Sequence, residues 1–410
     1  MRETTAPRVN GDRMQIHPER ASNVVASVLA AMHGLFGTPD KRIALHEPEF
    51  RGEEWTYVKE CIDTGWVSSV GSYVDRFERD LAAFVGCKHA VATCNGTSAL
   101  HICLILGGVE ADDEVLIPAL TFIATANAVS YIRAVPHFVD SETISLGVDA
   151  GRLERYLERV AQVIGGVCVN RATGRRIRAL VVMHVFGHPS DLDALVEVAR
   201  RWKLALVEDA AESLGSYYHG RHTGNFGCLA ALSFNGNKVM TTGGGGAVLT
   251  NDSELAKRAK HISTTARVAH EWNFLHDEVG YNYRMPNINA ALGCAQLERL
   301  PSMLQRKRHL ADRYGQAFAG INGVRLLREP PGTSSNYWLN AIMLDNGLAA
   351  RRDELLGTLN EAGFMSRPVW TLMHRLPMYH ACPRMDLDVA ERIEAQLVNL
   401  PSSPGLIASP

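Results

Sequence analysis

Lys238 stands between an apolar run, 229–234, and four consecutive glycines, Gly243 to Gly246. A lysine between a strand-like stretch and a loop open to a bulky group suits a partly desolvated pocket. There an amine can form imines with carbonyl compounds. Alone, an Asn-Lys pair in this setting reads as an ordinary turn. Two upstream features change that reading. Gly96-Thr97-Ser98 lies where a strand-like run passes into a helical pattern, so free N–H groups, hydroxyls and the helix dipole offer a phosphate site. Asp209 follows a fully apolar run, where a carboxylate is either a functional acid or a helix cap.

The elements that must position these residues follow from the pattern of the chain. Between 86 and 250, short β-branched runs alternate with helical periodicity, which predicts a mostly parallel sheet flanked by helices. Strands are expected at 89–93, 114–117, 135–139, 179–185, 204–207, 229–234 and 246–250. Helices are expected from Asn95 to Leu106 and over 121–131, 191–202 and 252–262, with a long or kinked one at 292–314 interrupted by Pro301. In such sheets ligands bind beyond the carboxyl ends of strands, which is where the turn at 96–98, Asp209 and Lys238 all fall. From Gly323 the elements become shorter, with a strand at 337–343 and a helix at 351–362. The expected division is an N-terminal extension at 1–42, a large domain at 43–322 and a small α+β domain at 323–410. Val24, Val25, Val28, Leu29, Met32, Leu35 and Phe36 have helical spacing, which predicts an accessory helix docked on the main body or on a partner subunit.

Composition narrows the class. With 410 residues, 46% hydrophobic and 21% charged, the chain can bury a large core. A formal net charge of −2 supplies no global field for nucleic acid or anionic membrane. No apolar run approaches the roughly 20 residues of a membrane span, and the first residues lack the order of a secretory signal. The eight cysteines form no CxxC or Cys/His cluster, so reduced thiols are expected rather than disulfides or a metal site. This profile fits a cytoplasmic enzyme.

Phosphate turn, carboxylate and lysine together match what pyridoxal phosphate requires: a phosphate cradle, an acid for the pyridine nitrogen and an amine for the aldehyde. Six ordered motifs extend the match. They are Gly71-Ser-Tyr-Val-Asp-Arg-Phe-Glu78, Asn95-Gly-Thr-Ser-Ala-Leu100, Pro118-Ala-Leu-Thr-Phe122 with Ala124-Thr-Ala-Asn-Ala128, Glu208-Asp-Ala-Ala211, Ser233-Phe with Lys238, and Gly280-Tyr-Asn-Tyr-Arg-Met285. On these the chain resembles the DegT-type sugar aminotransferases, of the type I (aspartate aminotransferase) fold, from about residue 43 onward. The resemblance implies that Lys238 holds the cofactor as a Schiff base and shuttles protons. It implies that Asp209 pairs with the pyridine nitrogen, that Phe122 stacks on the ring, and that Gly96, Thr97 and Ser233 bind the phosphate. Asn282 would reach that phosphate from a second subunit, so a homodimer with shared active sites is expected. Where many relatives carry Gln or His, this chain has Glu212, expected to be protonated or turned to another donor. The family's Gly-Glu-Gly-Gly is here Gly243-Gly-Gly-Gly246.

Sugar dehydratases of similar pattern carry His in place of the lysine, so Lys238 favours transamination, with a PLP-dependent dehydratase or lyase as the alternative. The implied donor is an amino acid, L-glutamate foremost. The implied acceptor is the C4 ketone of a nucleotide-linked 4-keto-6-deoxy-hexose. Leu45-His-Glu-Pro48 and Thr64-Gly-Trp-Val-Ser-Ser-Val-Gly71 most resemble the subgroup acting on UDP-2-acetamido-2,6-dideoxy-hexos-4-ulose, with a GDP-linked, perosamine-type substrate as the alternative. Trp66, Ser68, Ser69, His184 and Arg284 are candidate substrate residues. For Trp66 a core position, for His184 a structural hydrogen-bonded one and for Arg284 an ion pair remain open.

Overall fold

The parallel-strand pattern is realised in a seven-stranded sheet. A computed structural model describes residues 18–407. The first 17 residues, read above as lacking a secretory signal, and the last three lie outside the described residues. The strands are β1 (His89–Thr93), β2 (Glu114–Pro118), β3 (Val135–Val139), β4 (Ile177–Met183), β5 (Ala205–Asp209), β6 (Leu229–Ser233) and β7 (Gly246–Thr250), in the spatial order β1-β7-β6-β5-β4-β2-β3. Neighbours from β6 to β3 run parallel, and β7 is antiparallel to both β1 and β6. Runs such as Val115-Leu116-Ile117 and Val181-Val182 have no exposed surface, as expected of strands covered on both faces.

Helices are α1 (Pro18–Phe36), α2 (Glu54–Thr64), α3 (Ser72–Val85), α4 (Gly96–Leu106), α5 (Ile123–Tyr131), α6 (Ala150–Val160), α7 (Leu192–Arg201), α8 (Ser253–Ser263), α9 (Asn287–Ala317), α10 (Arg352–Glu361) and α11 (Asp388–Gln396). In α3 the side chains of Tyr73, Phe77 and Leu81 recur every fourth residue and are all buried. The Phe77 ring meets Phe234, just beyond β6, edge-on at 5.2 Å. Helix α4 is apolar nearly all round and accordingly buried from Ser98 to Leu104.

A second, antiparallel sheet joins β8 (Val324–Leu326), β9 (Asn340–Leu344), β10 (Arg367–Pro368) and β11 (Leu397–Leu400) in the order β8-β9-β11-β10. Helix α9 links the two sheets. Ala290, Cys294 and Leu300 lie in the core of the large sheet, whereas Leu310 and Tyr314 pack with Ile342, Leu355 and Val398 in a second cluster. That second cluster also receives Val24, Val25, Val28 and Met32 of α1. The N-terminal helix is therefore docked on the chain's own body.

Some elements differ from expectation. Helix α9 begins at Asn287, before the expected 292, and runs through Pro301. Its first residue also serves another helix: Asn287 Oδ1 accepts from the N–H groups of Tyr73 and Val74, at 3.1 and 3.3 Å, and so caps α3. Strand β9 begins at Asn340 rather than 337, because Tyr337 takes a left-handed φ of 47°. The hairpin Ala161–Ile164/Val167–Asn170 was not expected. Its signal was Gly165-Gly166, which supplies two positive-φ positions for a tight turn.

Below the carboxyl ends of β4 and β5 lies a fully buried carboxylate, Glu208. Its Oε1 accepts from the N–H groups of Phe226 and Gly227 at 2.6 and 2.7 Å, and its Oε2 from Gly224 N–H at 2.6 Å. His184 Nδ1 accepts from Ser190 N–H at 3.2 Å, so its Nε2 carries the proton and donates to Glu208 at 3.1 Å. Burial alone would raise this carboxyl, but His184 and the backbone donors outweigh it and hold the pKa below its usual value. A Glu208→Gln chain, which turns an NH₂ group towards these donors, should lose about 3 kcal/mol or more of stability in urea denaturation. A loss within experimental error would remove this network as a determinant of the fold.

Candidate active site

The lysine loop is closed at its base by Phe234. Phe234 N–H donates to Gly245 O at 2.8 Å, while its carbonyl accepts from Thr242 N–H at 3.0 Å and the Thr241 hydroxyl at 3.1 Å. Lys238 projects from the resulting loop with 13% of its side chain exposed. Its Nζ lies 3.4 Å from Glu212 Oε1 and 3.8 Å from the centre of the Trp338 ring. The indole N–H donates to Asn237 O at 2.7 Å, so the ring holds the loop as well as the amine.

Glu212 is fixed from the other side. Its Oε2 accepts from Phe186 N–H at 2.9 Å, and its main-chain carbonyl from Asn336 Nδ2 at 2.8 Å. Phe186 takes a left-handed φ of 55° in the short turn after β4, an uncommon conformation for a bulky residue. The next residue, Gly187, has φ 92°, and a Cβ there would stand 1.8 Å from Asn336 Oδ1. Only glycine fits. Burial pushes the Glu212 carboxyl up to about 7, against the pull of Lys238 and the Phe186 N–H.

Asp209 ends β5. Its Oδ2 accepts from the Thr125 hydroxyl at 2.7 Å and its Oδ1 from Ala211 N–H at 3.3 Å. Burial raises its pKa, and Thr125, the Ala211 N–H and Lys238 oppose that shift. Gly96 begins α4 against Ser233: a Cβ at 96 would lie 2.7 Å from Ser233 Cβ and 3.1 Å from its hydroxyl. A Cβ on Gly246 would come 2.5 Å from the Asn95 carbonyl carbon. These glycines bring the N-terminus of α4 onto the ends of β6 and β7. Asn95 caps it by accepting from Ser98 N–H at 2.7 Å, and Thr97 lies in its first turn. Phe122 precedes α5 with half of its surface exposed, its ring 6.3 Å from Trp370.

Lys238, Asp209 and Glu212 are thus brought together, and Gly96, Thr97 and Ser233 form a second set at the end of β6. The remaining candidates lie elsewhere in the single chain. Trp66 is exposed, which excludes a core position. It and Ser68 are tied through their carbonyls to Asn287, at 2.7 and 2.6 Å. Ser69 and Arg284 line a cavity of about 210 Å³ with Asp75, Lys260 and Thr264. Arg284 pairs by its backbone with Thr93, and its buried Nε has no partner. Asn282 is exposed and paired by its backbone with Thr264. His184 is a correction: it has no exposed surface and both ring nitrogens are engaged, so it has nothing to offer a substrate. The sequence reading also passed over Thr125, Phe186, Asn336, Trp338 and Trp370. Of these only Thr125 lay inside a quoted motif.

The description "DegT/DnrJ/EryC1/StrS aminotransferase family" matches residues 48–409. The chain belongs to this family. It is 37% identical to the GDP-perosamine synthase of Caulobacter vibrioides, over 89% of this chain and 94% of that one. The GDP-perosamine synthase of Escherichia coli O157:H7 is 36% identical over 89% and 94%. The crystal structure of the aminotransferase TlmJ from Streptoalloteichus hindustanus superposes with a TM-score of 0.80 at 29% identity, covering 90% of this chain and 95% of that one. The fold is that of the type I aminotransferases, and the protein is a PLP-dependent sugar aminotransferase. The residues present fit the cofactor: a cradle that a Cβ at Gly96 would fill, a buried acid on Thr125, a half-exposed aromatic ring and a lysine. These relatives are named for a GDP-linked sugar, whereas the sequence motifs leaned towards a UDP-linked one.

Because its folded-state pKa is raised, Glu212 stabilises the fold only while protonated. Stability is highest below the ordinary value of 4.5 and is lost as pH rises through about 7. Cofactor-free Glu212→Gln protein should therefore lose less thermal stability than the native chain between about pH 5 and about pH 8. Parallel melting curves for the two would show that Glu212 is ionised throughout.

Proposed function

We propose that the chain transfers an amino group from L-glutamate to the C4 ketone of a GDP-linked 4-keto-6-deoxy-hexose, giving a 4-amino sugar for a surface polysaccharide. The chemistry is carried by Lys238, held between Glu212 and the Trp338 ring on the side where Asp209 ends its strand. The sugar and its nucleotide are carried by the identity to the two GDP-perosamine synthases over nearly their full length. A UDP-2-acetamido-2,6-dideoxy-hexos-4-ulose is the second reading. It is favoured by Leu45-His-Glu-Pro48, most of which precedes the matched span of 48–409.

Pyridoxal phosphate supplies the aldehyde and an electron sink for the carbon that loses its proton. In this reading Lys238 binds the aldehyde and moves the proton at the reacting carbon. Asp209, fixed by the Thr125 hydroxyl, keeps the pyridine nitrogen protonated. Ser233, Gly96 and Thr97 hold the phosphate at the start of α4. Phe122 covers the ring. Glu212 would be neutral towards the bound cofactor, since burial already disfavours its charge.

We take the working unit to be a cytoplasmic homodimer of chains divided near residues 43 and 323. Support for the dimer comes from Trp272, Phe274 and Val279, all largely exposed just before Asn282. An apolar group of this kind fits a partner surface. Asn282 would then reach the partner's phosphate site.

The deciding assay supplies GDP- and UDP-linked 4-keto-6-deoxy sugars with glutamate and reads amination by mass. Amination of the GDP sugar is expected; exclusive use of the UDP sugar selects the second reading, and ammonia release without amination a lyase. Borohydride trapping should label Lys238, and label on another lysine would overturn the assignment. Mixed and refolded Lys238→Ala and Asn282→Ala chains should regain about a quarter of native sites, since a hybrid dimer holds one intact site. No recovery would argue against shared sites.

A further inference from the structure

The segment before the matched span is strapped by hydrogen bonds to residues 402 and 403. Leu45 O accepts from Ser402 N–H at 2.7 Å, and Glu47 N–H donates to the Ser403 hydroxyl at 2.8 Å. Between these two bonds stands His46, whose ring nitrogens are both buried and both without a partner. Ser402 O and Trp338 O in turn accept from the fully buried Lys307 Nζ, at 2.6 and 3.2 Å. The Trp338 ring is the one that carries Lys238. The segment that carries His46 is thus linked through Ser402 and Lys307 to Trp338, the residue on which Lys238 rests. Burial, with smaller contributions from Lys307 and Lys238, holds the pKa of His46 well below the usual value. The ring is neutral.

An imidazole whose two nitrogens are buried and unpaired costs stability unless a water, an ion or a ligand completes it. A neutral ring offers one N–H and one lone pair. A carboxylate can meet only the N–H, whereas a hydroxyl can meet either nitrogen, by accepting from the N–H or by donating to the lone pair. We propose that His46 is a substrate-binding residue whose imidazole takes a sugar-ring hydroxyl beside the carbon that receives the amine. This rests on the nucleotide-sugar reading above, and it deepens that reading by assigning part of the sugar's recognition to the strap.

The test separates the two halves of the reaction in the cofactor-loaded enzyme. Glutamate consumption is followed by loss of the yellow absorbance, and sugar amination by its return when GDP- or UDP-linked 4-keto sugar is added to the aminated form. His46→Phe keeps the ring's bulk and removes both polar atoms. It should melt no lower than the native protein and should leave the glutamate step within about twofold. Its sugar step should lose roughly 10- to 100-fold in kcat/KM, with partial recovery in His46→Gln. An unchanged sugar step in a native enzyme that aminates either sugar overturns the assignment alone. Equal losses in both steps, or a lowered melting temperature, would make His46 a structural part of the strap. Native enzyme that aminates neither sugar overturns the nucleotide-sugar reading, and the hydroxyl assignment with it.

Discussion

The site is organised by one amine set among groups that water cannot reach. Lys238 has Glu212 on one side and the face of Trp338 on the other, with only a small part of its side chain exposed. Two buried carboxyls, Asp209 and Glu212, share this neighbourhood, and both are raised by burial. Two full negative charges against one ammonium would be costly at this depth. The arrangement is stable when one acid is neutral. Asp209 keeps a hydroxyl and an N–H donor that favour its charge, whereas Glu212 has a single N–H besides the lysine. Glu212 is therefore the easier of the two to protonate.

Positions this tight need a rigid floor. Glu208 and His184 form it, one residue before Asp209 and one after Met183, and the parallel register pairs Met183 with Asp209. Strands alternate their faces, so Glu208 turns away from the side that Asp209 serves. The carboxylate of Glu208 gathers three backbone N–H groups from the loop leading into β6. A network with every donor met holds its neighbours in one geometry. The same strand thus carries one acid for structure and one for chemistry.

Much of the large sheet was legible, because a strand covered on both faces is written in consecutive residues: 89–93, 135–139 and 246–250 appear with the ends expected. The strand-to-helix turn at 95–98 was legible for the same local reason. What the chain could not show were contacts made across it. Trp338 belongs to a stretch read as the start of a strand, and its role follows from a reversal at Tyr337 that brings the indole to Lys238. Asn287 caps a helix more than 200 residues earlier in the chain, which no local pattern records. His184 failed as a substrate residue because a position at a strand end does not say which face the side chain takes. The Glu212 departure was visible as a residue type. The burial that decides its charge was not.

Residue type also does not distinguish Lys238 from Lys307, whose Nζ donates to the carbonyl of the same Trp338 whose ring carries Lys238. Lys307 is the more deeply buried, and desolvation holds its pKa well below the usual value. A larger share of free amine alone would favour it as a nucleophile. Its Nζ, however, is directed onto the carbonyls of Trp338 and Ser402, with no exposed surface and no acid nearby. An amine there can tie the strap's neighbour to the indole that carries Lys238, but it cannot meet an aldehyde. Lys238 keeps the access that Lys307 lacks and the acid that can trade a proton with it. Access and an exchangeable proton, rather than depth of burial, assign the chemistry to position 238.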